Sequence, residues 1–302
     1  MDAKTKYRAF CESRNDVPVF RQPWWLDAVC RDGTWGVCVT EKDGIITGAL
    51  PYFRTKRWGI SIITLPPLTP HTGVQFADSG REEALSVIRS LVRQLPRATV
   101  VRLYHPPGFK MLAPFEQRGF RTMERYTYQL DLTAPEPERL FNTNLRRKLK
   151  RARQTGLVCQ ESDDPDIVFS LNAMSLRRQG VRARYDRELF RRLDEAIQMH
   201  AGRKIFITYD TEGTPLAGGY YVQEDRRVVY YLTGGHNGHP TAMSLVMATA
   251  LEYYQGRAGL FDFEGSMVPG IARFFRSFGG QPVAYYATVK YGVPLLGFLA
   301  RR

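Results

Sequence analysis

The chain repeats itself. Set 160 residues apart, Phe115 meets Phe275, Gly119 meets Gly279 and Tyr126 meets Tyr286, and Val100-Val101-Arg102-Leu103 falls on Leu260-Phe261-Asp262-Phe263. The turn glycines Gly44 and Gly213 correspond at an offset of 169, a nine-residue difference in between. Solenoid repeats are far shorter, at roughly 20–50 residues, so a repeat of this size is a duplicated domain. The length of 302 residues agrees, because it exceeds what one hydrophobic core usually serves and suits two domains of about 150 residues. We place the division at Thr133-Ala134-Pro135-Glu136, giving domains 1–132 and 133–302. Thr133 and Glu136 have the spacing of a capping box there, which predicts the start of a helix.

Apolar periodicity fills in both copies. In the first, an amphipathic segment Trp24–Val29 precedes strand-like runs Gly36–Thr40, Ile45–Phe53 and Ile60–Leu65, the first two joined by the turn Asp43-Gly44. A proline-rich loop, Pro66–Gly73, leads to a helix Glu82–Gln94, a strand Thr99–Tyr104, a short helix around Phe115 and a strand Tyr126–Leu132. In the second, Phe141, Leu145, Leu149 and Ala152 form a helical stripe ended by Gly156. Helices Asp166–Gln179 and Asp186–Ala201 follow, then strands Lys204–Tyr209, Leu216–Val222 and Arg227–Thr233. A helix Thr241–Gln255, a strand Leu260–Glu264, a helix Gly270–Phe278 and a strand Val283–Val289 close the chain. The expected fold class is α/β, in the α+β sense of a mixed sheet, in two tandem copies with no coiled-coil insertion.

An apolar fraction of 43% and a charged fraction of 24% exclude a disordered chain, a fibre and a coiled-coil rod. No apolar run approaches the roughly 18 residues that span a bilayer, and Met1-Asp2-Ala3-Lys4 opens no signal peptide. Cys11, Cys30, Cys38 and Cys159 show no paired spacing and read as reduced thiols, so the expected location is cytoplasmic, or peripheral at the inner membrane face. The net charge of +13 is concentrated. Arg139–Arg153 holds seven cations and no acid, and Arg177–Arg192 holds seven cations against Asp186 and Glu188. Such runs are either solvated helix faces or a footprint for an anionic partner: RNA, a nucleotide, a phospholipid or a membrane surface.

Three stretches carry a family resemblance. Phe20-Arg21-Gln22-Pro23-Trp24-Trp25 is similar to a Phe-x-Gln-x-x-Trp opening, and Asn144–Gly156 looks like a basic helix that opens a second domain. Phe261-Asp262-Phe263-Glu264-Gly265-Ser266, with Gly270-Ile271 and Phe274–Gly279, is similar to a closing strand and helix. With the element order, these resemble the GNAT acyltransferase superfamily, and within it the FemABX or FemAB-like (BioF2-like acetyltransferase) branch with two GNAT domains in tandem. The resemblance implies an N-acyltransferase that moves an acyl or aminoacyl group onto an amine by direct attack, without a covalent enzyme intermediate. It implies acyl-CoA or aminoacyl-tRNA as co-substrate, with no permanently bound cofactor and no metal. The amine acceptor would be a cell-envelope, lipid-linked or small-molecule one. The chain departs from the cross-bridge enzymes at Val29-Cys30, and at Phe275 beside Arg276, where they carry lysines.

Candidate site residues follow. CoA-dependent relatives hold pyrophosphate on a glycine-containing turn leading into a helix; the equivalent segment here is Thr233–Thr241, with Thr233, Gly235, Gly238 and the neighbouring Tyr231 as donor-binding candidates. It is either that cradle or a glycine-rich connection. Arg146, Lys150 and Arg153 fall at i, i+4 and i+7 and form one face for phosphates. Strand alternation sets Asp262 and Glu264 on one face, either as proton acceptors for an attacking ammonium or as a structural pair. Arg276 is the candidate to polarise the donor carbonyl, and Trp25, His71 and Arg184 are acceptor-side candidates. His236-x-x-His239 has no further ligand at spacing for a metal, and no nucleophile elbow, Walker loop or HExxH is present. Two rival readings remain open: a non-catalytic tRNA-binding protein on this fold, and a membrane-surface lipid or glycan acyltransferase using the basic faces and the apolar tail Val293–Ala300.

Overall fold

A computed structural model describes residues 1–77, 81–133, 136–265 and 267–292. Two compact units partition the chain, one from residues 1–125 with the stretch from Ala284 onward, the other from Tyr126–Val283. The division expected at 132/133 is linear, whereas each of these units takes its closing strand from the far side of it.

In the first unit, α1 (Ala3–Glu12) and α2 (Pro23–Val29) precede β1 (Thr34–Lys42), β2 (Ile45–Arg57) and β3 (Ile60–Thr64). Asp43 and Gly44, both at positive φ, make the tight β1–β2 turn that the sequence announced. After β4 (Gln75–Phe76), α3 (Arg81–Gln94) crosses over to β5 (Val100–Tyr104), which runs parallel to β3; α4 (Ala113–Glu116) follows. Ile88 and Leu91 of α3 pack fully buried against Leu50 and Ile63 of the sheet, with Phe115 of α4 in the same core. β6 (Arg121–Asp131) then leads into the second unit.

The second unit repeats the plan. A 3₁₀ turn (Pro137–Leu140) precedes α5 (Thr143–Gln154), and β7 (Val158–Glu161), α6 (Pro165–Arg178) and α7 (Arg187–His200) come next. The meander β8 (Gly202–Tyr209), β9 (Pro215–Glu224) and β10 (Val228–His236) corresponds to β1–β3. α8 (Ala242–Tyr254) crosses to β11 (Leu260–Asp262), parallel to β10 as β5 is to β3, and α9 (Pro269–Ser277) and β12 (Gln281–Tyr291) end the repeat. β6 pairs with β11 in this unit and β12 pairs with β5 in the first.

Helix α5 starts later than the Thr133/Glu136 spacing predicts. Glu136 is left-handed (φ +58) and leads into the 3₁₀ turn, and the N-cap is Asn142, whose Oδ1 accepts from Leu145 N at 2.9 Å. Its stripe is as expected: Phe141, Leu145, Leu149 and Ala152 are all buried. Among the described residues no helix is long and apolar enough to cross a membrane. The tail Val293–Ala300 with Arg301-Arg302, and Ser266, lie outside the described residues.

Candidate active site

The site begins with two strands that part. β10 and β11 pair in parallel through Val228–Leu260, Val229–Phe261 and Tyr230–Asp262. β11 stops at Asp262, but β10 runs on to His236, paired there with β9 alone. The register to β9 slips between Tyr231 and Thr233, so Leu232 is a bulge residue with no opposite number. The gap is a cavity of about 470 Å³ walled by α6, β10, the N-terminal turns of α8 and α9, and the segment after β11.

Side chains from α6 take up part of β10's open edge. Asn172 Nδ2 donates to Gly234 O at 2.7 Å, and Ser175 Oγ both donates to His236 O (3.1 Å) and accepts from His236 N (2.8 Å). Tyr185 Oη holds Asn172 by donating to its Oδ1 at 3.1 Å, with Thr233 Oγ1 3.2 Å away. Among the described residues no side chain claims the backbone of Leu232, which lines the cavity. Asn172 and Ser175 are site residues the sequence did not flag.

The expected glycine cradle is built differently. Thr233, Gly234 and Gly235 belong to β10, not to a turn. A Cβ on Gly235 would lie 2.4 Å from Asn172 N and from Leu171 C and O, so this glycine lets the α6 backbone press on the strand. A Cβ on Gly234 would lie 2.3 Å from Tyr231 Oη, so the phenol sits over that glycine. Gly238 (φ +117) is in the exposed turn beyond and does not line the cavity. Tyr231 does line it, and burial raises its phenol pKa above the ordinary value.

The two carboxylates are not a same-face pair, because β11 ends between them and Glu264 is left-handed (φ +59). Asp262, only 4% exposed, turns inward and accepts from Thr127 Oγ1 (2.5 Å), Gln129 Nε2 (2.8 Å) and the backbone N–H of Glu264 (2.9 Å). Burial raises its pKa against these donors. Glu264 lines the cavity, half-buried, and its pKa stands well above the ordinary glutamate value through desolvation first and the Asp262 charge second.

Positive potential comes from backbone rather than from the expected arginine. Neither Thr241 before α8 nor Val268 before α9 caps its helix with a side chain, and both helix starts reach the cavity through Met243 and Ser244, and Gly270 and Ile271. The positive ends of the two helix dipoles there favour an anion, and Lys148 joins them. Arg276 is exposed, stacks 5.3 Å over Tyr128 and does not line this cavity.

Other candidates fall elsewhere. Arg146, Lys150 and Arg153 do share one face, around a separate cavity of about 560 Å³, but Arg146 Nε donates to Phe141 O (2.7 Å) and Arg153 pairs with Glu252 at 3.3 Å. Desolvation and Glu138 push the Glu252 carboxyl up to about 7. In the second basic run Arg187 and Arg191 pair with Asp166. Trp25 is wholly buried, bonded to Thr69 Oγ1 at 3.0 Å, and His71 is buried with its pKa down to about 3 through desolvation, Arg21 and His105; both are interior residues of the first unit rather than an acceptor surface. Arg184 is exposed in the α6–α7 connection, outside the cavity lining. Among the described residues no group of three or more His, Cys, Asp or Glu is placed to hold a metal.

The model of a family described as an acetyltransferase (GNAT) domain matches residues 139–274, which contain the parted strands and the cavity. Comparison with curated proteins gives no match in sequence. Among solved structures the chain is similar to FemX, with a TM-score of 0.67 and 14% identity over 95% of this chain and 96% of that one. It is similar to the C-terminal domain of a protein assigned as a lysylphosphatidylglycerol synthetase from Agrobacterium fabrum (TM-score 0.59, 16% identity, 96% and 93% covered). A tandem GNAT protein from the clavulanic acid biosynthesis pathway gives a TM-score of 0.57 at 12% identity, with 97% and 95% covered.

Proposed function

We propose that this chain, a tandem GNAT-fold protein of the FemAB-like kind with an acetyltransferase domain over residues 139–274, is an N-acyltransferase whose chemistry occurs where β10 and β11 part. One observation carries the reading: the backbone of the Leu232 bulge, which among the described residues no side chain bonds, and the high-pKa carboxyl of Glu264 line the same cavity.

The donor carbonyl oxygen accepts from the Leu232 N–H, which polarises the carbon and stabilises the oxyanion that forms on attack. An amine is protonated in water and is no nucleophile in that form. Glu264, as carboxylate, takes the ammonium proton, and its raised pKa makes it a stronger base than an ordinary glutamate. The free amine nitrogen bonds to the carbonyl carbon as the bond to the leaving sulfur or oxygen breaks; Tyr231, which its raised pKa keeps protonated, gives the leaving group its proton and is restored by the second proton that the amine nitrogen sheds. Asp262 touches no reactant; by holding the Glu264 N–H it fixes the turn that presents the base.

The helix starts of α8 and α9 and Lys148 suit a donor that carries phosphate, and acyl-CoA is the reading they favour. Aminoacyl-tRNA is the second, favoured by the α5 face, although Arg146 and Arg153 there already have protein partners. The acceptor is an amine, with an envelope or lipid-linked one in keeping with the names of the similar structures. Glu264→Gln tests the chemistry. It should lower kcat by about 10²–10⁴-fold with donor affinity unchanged, and full turnover by that variant would end the proposal. Calorimetry with acetyl-CoA and with aminoacyl-tRNA at two salt concentrations separates the donors, since tRNA binding would fall steeply with salt.

A further inference from the structure

The β2–β3 connection is two residues, Trp58-Gly59, flanked by the pair Arg57–Ile60, with both central φ angles positive (+49° and +76°). Such turns call for Asn, Asp or Gly, and a bulky aromatic at positive φ is an outlier. Trp58 is nevertheless there, 89% exposed, with the Arg57 guanidinium 5.2 Å over its ring. Neither turn chemistry nor packing asks for an indole at this tip. From Gly44 to Ala77 the sequence holds Arg54, Lys56 and Arg57 and no acid.

A cavity of about 730 Å³ opens at the same end of the first unit. Arg54 Nε donates to Ser61 Oγ at 2.9 Å, Thr99 N donates to Ser61 O at 2.8 Å, and Ser61 and Thr99 line that cavity. Arg93, Arg97, Arg118 and Lys290 surround it, and among the described residues no acidic one lines it. Some surface arginines of this chain meet carboxylates, as Arg8 meets Asp27 and Arg14 meets Asp16. Four cations around one hollow repel one another until an anion enters, and guanidinium forks fit phosphate.

We propose that this end of the first unit docks on an anionic lipid bilayer, with Trp58 in the headgroup region and the cavity receiving a lipid phosphate. An exposed indole beside clustered cations is the pairing that a membrane interface selects, because the ring sits at the headgroup boundary while the cations meet anionic lipid. A soluble phosphate would need the cations but not Trp58.

The test is flotation of the full chain with vesicles of phosphatidylcholine, alone and mixed with phosphatidylglycerol. The chain should float with the mixed vesicles and not with phosphatidylcholine alone. Trp58→Asn suits the turn, so it should keep or raise the melting temperature while losing most vesicle binding. Arg93→Gln with Arg97→Gln, both at exposed positions, should weaken binding about 25-fold, at about fivefold per charge. Absence of flotation, unchanged binding by either variant, or binding of inorganic phosphate without vesicle binding would each overturn the proposal.

Discussion

Asp262 is where stability and chemistry can be pulled apart with two substitutions. Asp262→Ala removes the acceptor of three donors: the buried Thr127 hydroxyl, the Gln129 amide and the Glu264 N–H. An unsatisfied buried donor costs about 1–3 kcal/mol, and Gln129, less buried, recovers water, so the two remaining donors should cost about 2–6 kcal/mol. Asp262→Asn keeps the shape. Its oxygen still accepts from Thr127 and Glu264, and the Gln129 amide can turn over to accept from its NH₂. Because burial raises the Asp262 pKa, the folded state binds that proton more tightly than the unfolded one. The ionised side chain therefore costs stability, and the cost grows as pH rises from the ordinary value near 3.8 up through the raised one. Asparagine escapes this cost and should be neutral or stabilising at pH 7. It also removes the like charge beside Glu264, so the acid limb of the kcat/KM profile should move to lower pH. The move is partial, because desolvation, the larger cause, remains. Urea unfolding of both variants and one pH–rate profile suffice as assays. An alanine variant as stable as the wild type would refute the hydrogen-bond argument, and an unmoved acid limb would refute the assignment of Glu264 as base.

Two further outcomes follow from geometry in each unit. Gly235→Ala should cost about 3 kcal/mol, the upper end for overpacking, because the atoms 2.4 Å from the new Cβ are backbone; thermal unfolding at wild-type temperature would contradict the close approach of α6. His71 and His105 are buried neutral with pKa values down to about 3, so stability is full above pH 6.5 and falls below it, by up to about 1.4 kcal/mol per pH unit for each. Unfolding of His71→Phe between pH 6 and 4 should show about half that histidine contribution, and an identical slope would mean that His71 does not titrate with unfolding.

Features fixed by local chemistry were legible in the sequence. The Asp43-Gly44 turn, the α5 stripe and the succession β10, α8, β11 each follow from a few adjacent residues or one period, and the duplication reappears as two meanders each followed by a helix and a parallel strand. Elements without such a signal were missed: α1, whose polar face dominates, and the short strands β4 and β7. The start of α5 was misplaced because a Thr-to-Glu spacing of three is easily met by chance, and Asn142 satisfies the helix instead. The site was half legible. Glu264 and Tyr231 both line the cavity, although Glu264 lies past the end of β11 and shares no strand face with Asp262, and Gly235 answers to the backbone of a helix some sixty residues earlier. Asn172 and Ser175 come from that same helix, with nothing in their own sequence to single them out. Trp25 and His71 illustrate the converse, since a motif residue and a loop histidine both became interior.

The bulge at Leu232 has a bearing on how such a site changes over generations. Its proposed donor is a main-chain N–H, present whatever side chain the codon specifies, so nearly every substitution at this position leaves it in place. Proline is the exception, as it alone lacks the hydrogen. Drift in the surrounding side chains can therefore exchange one acyl group or acceptor for another while the group that polarises the carbonyl is inherited with the fold.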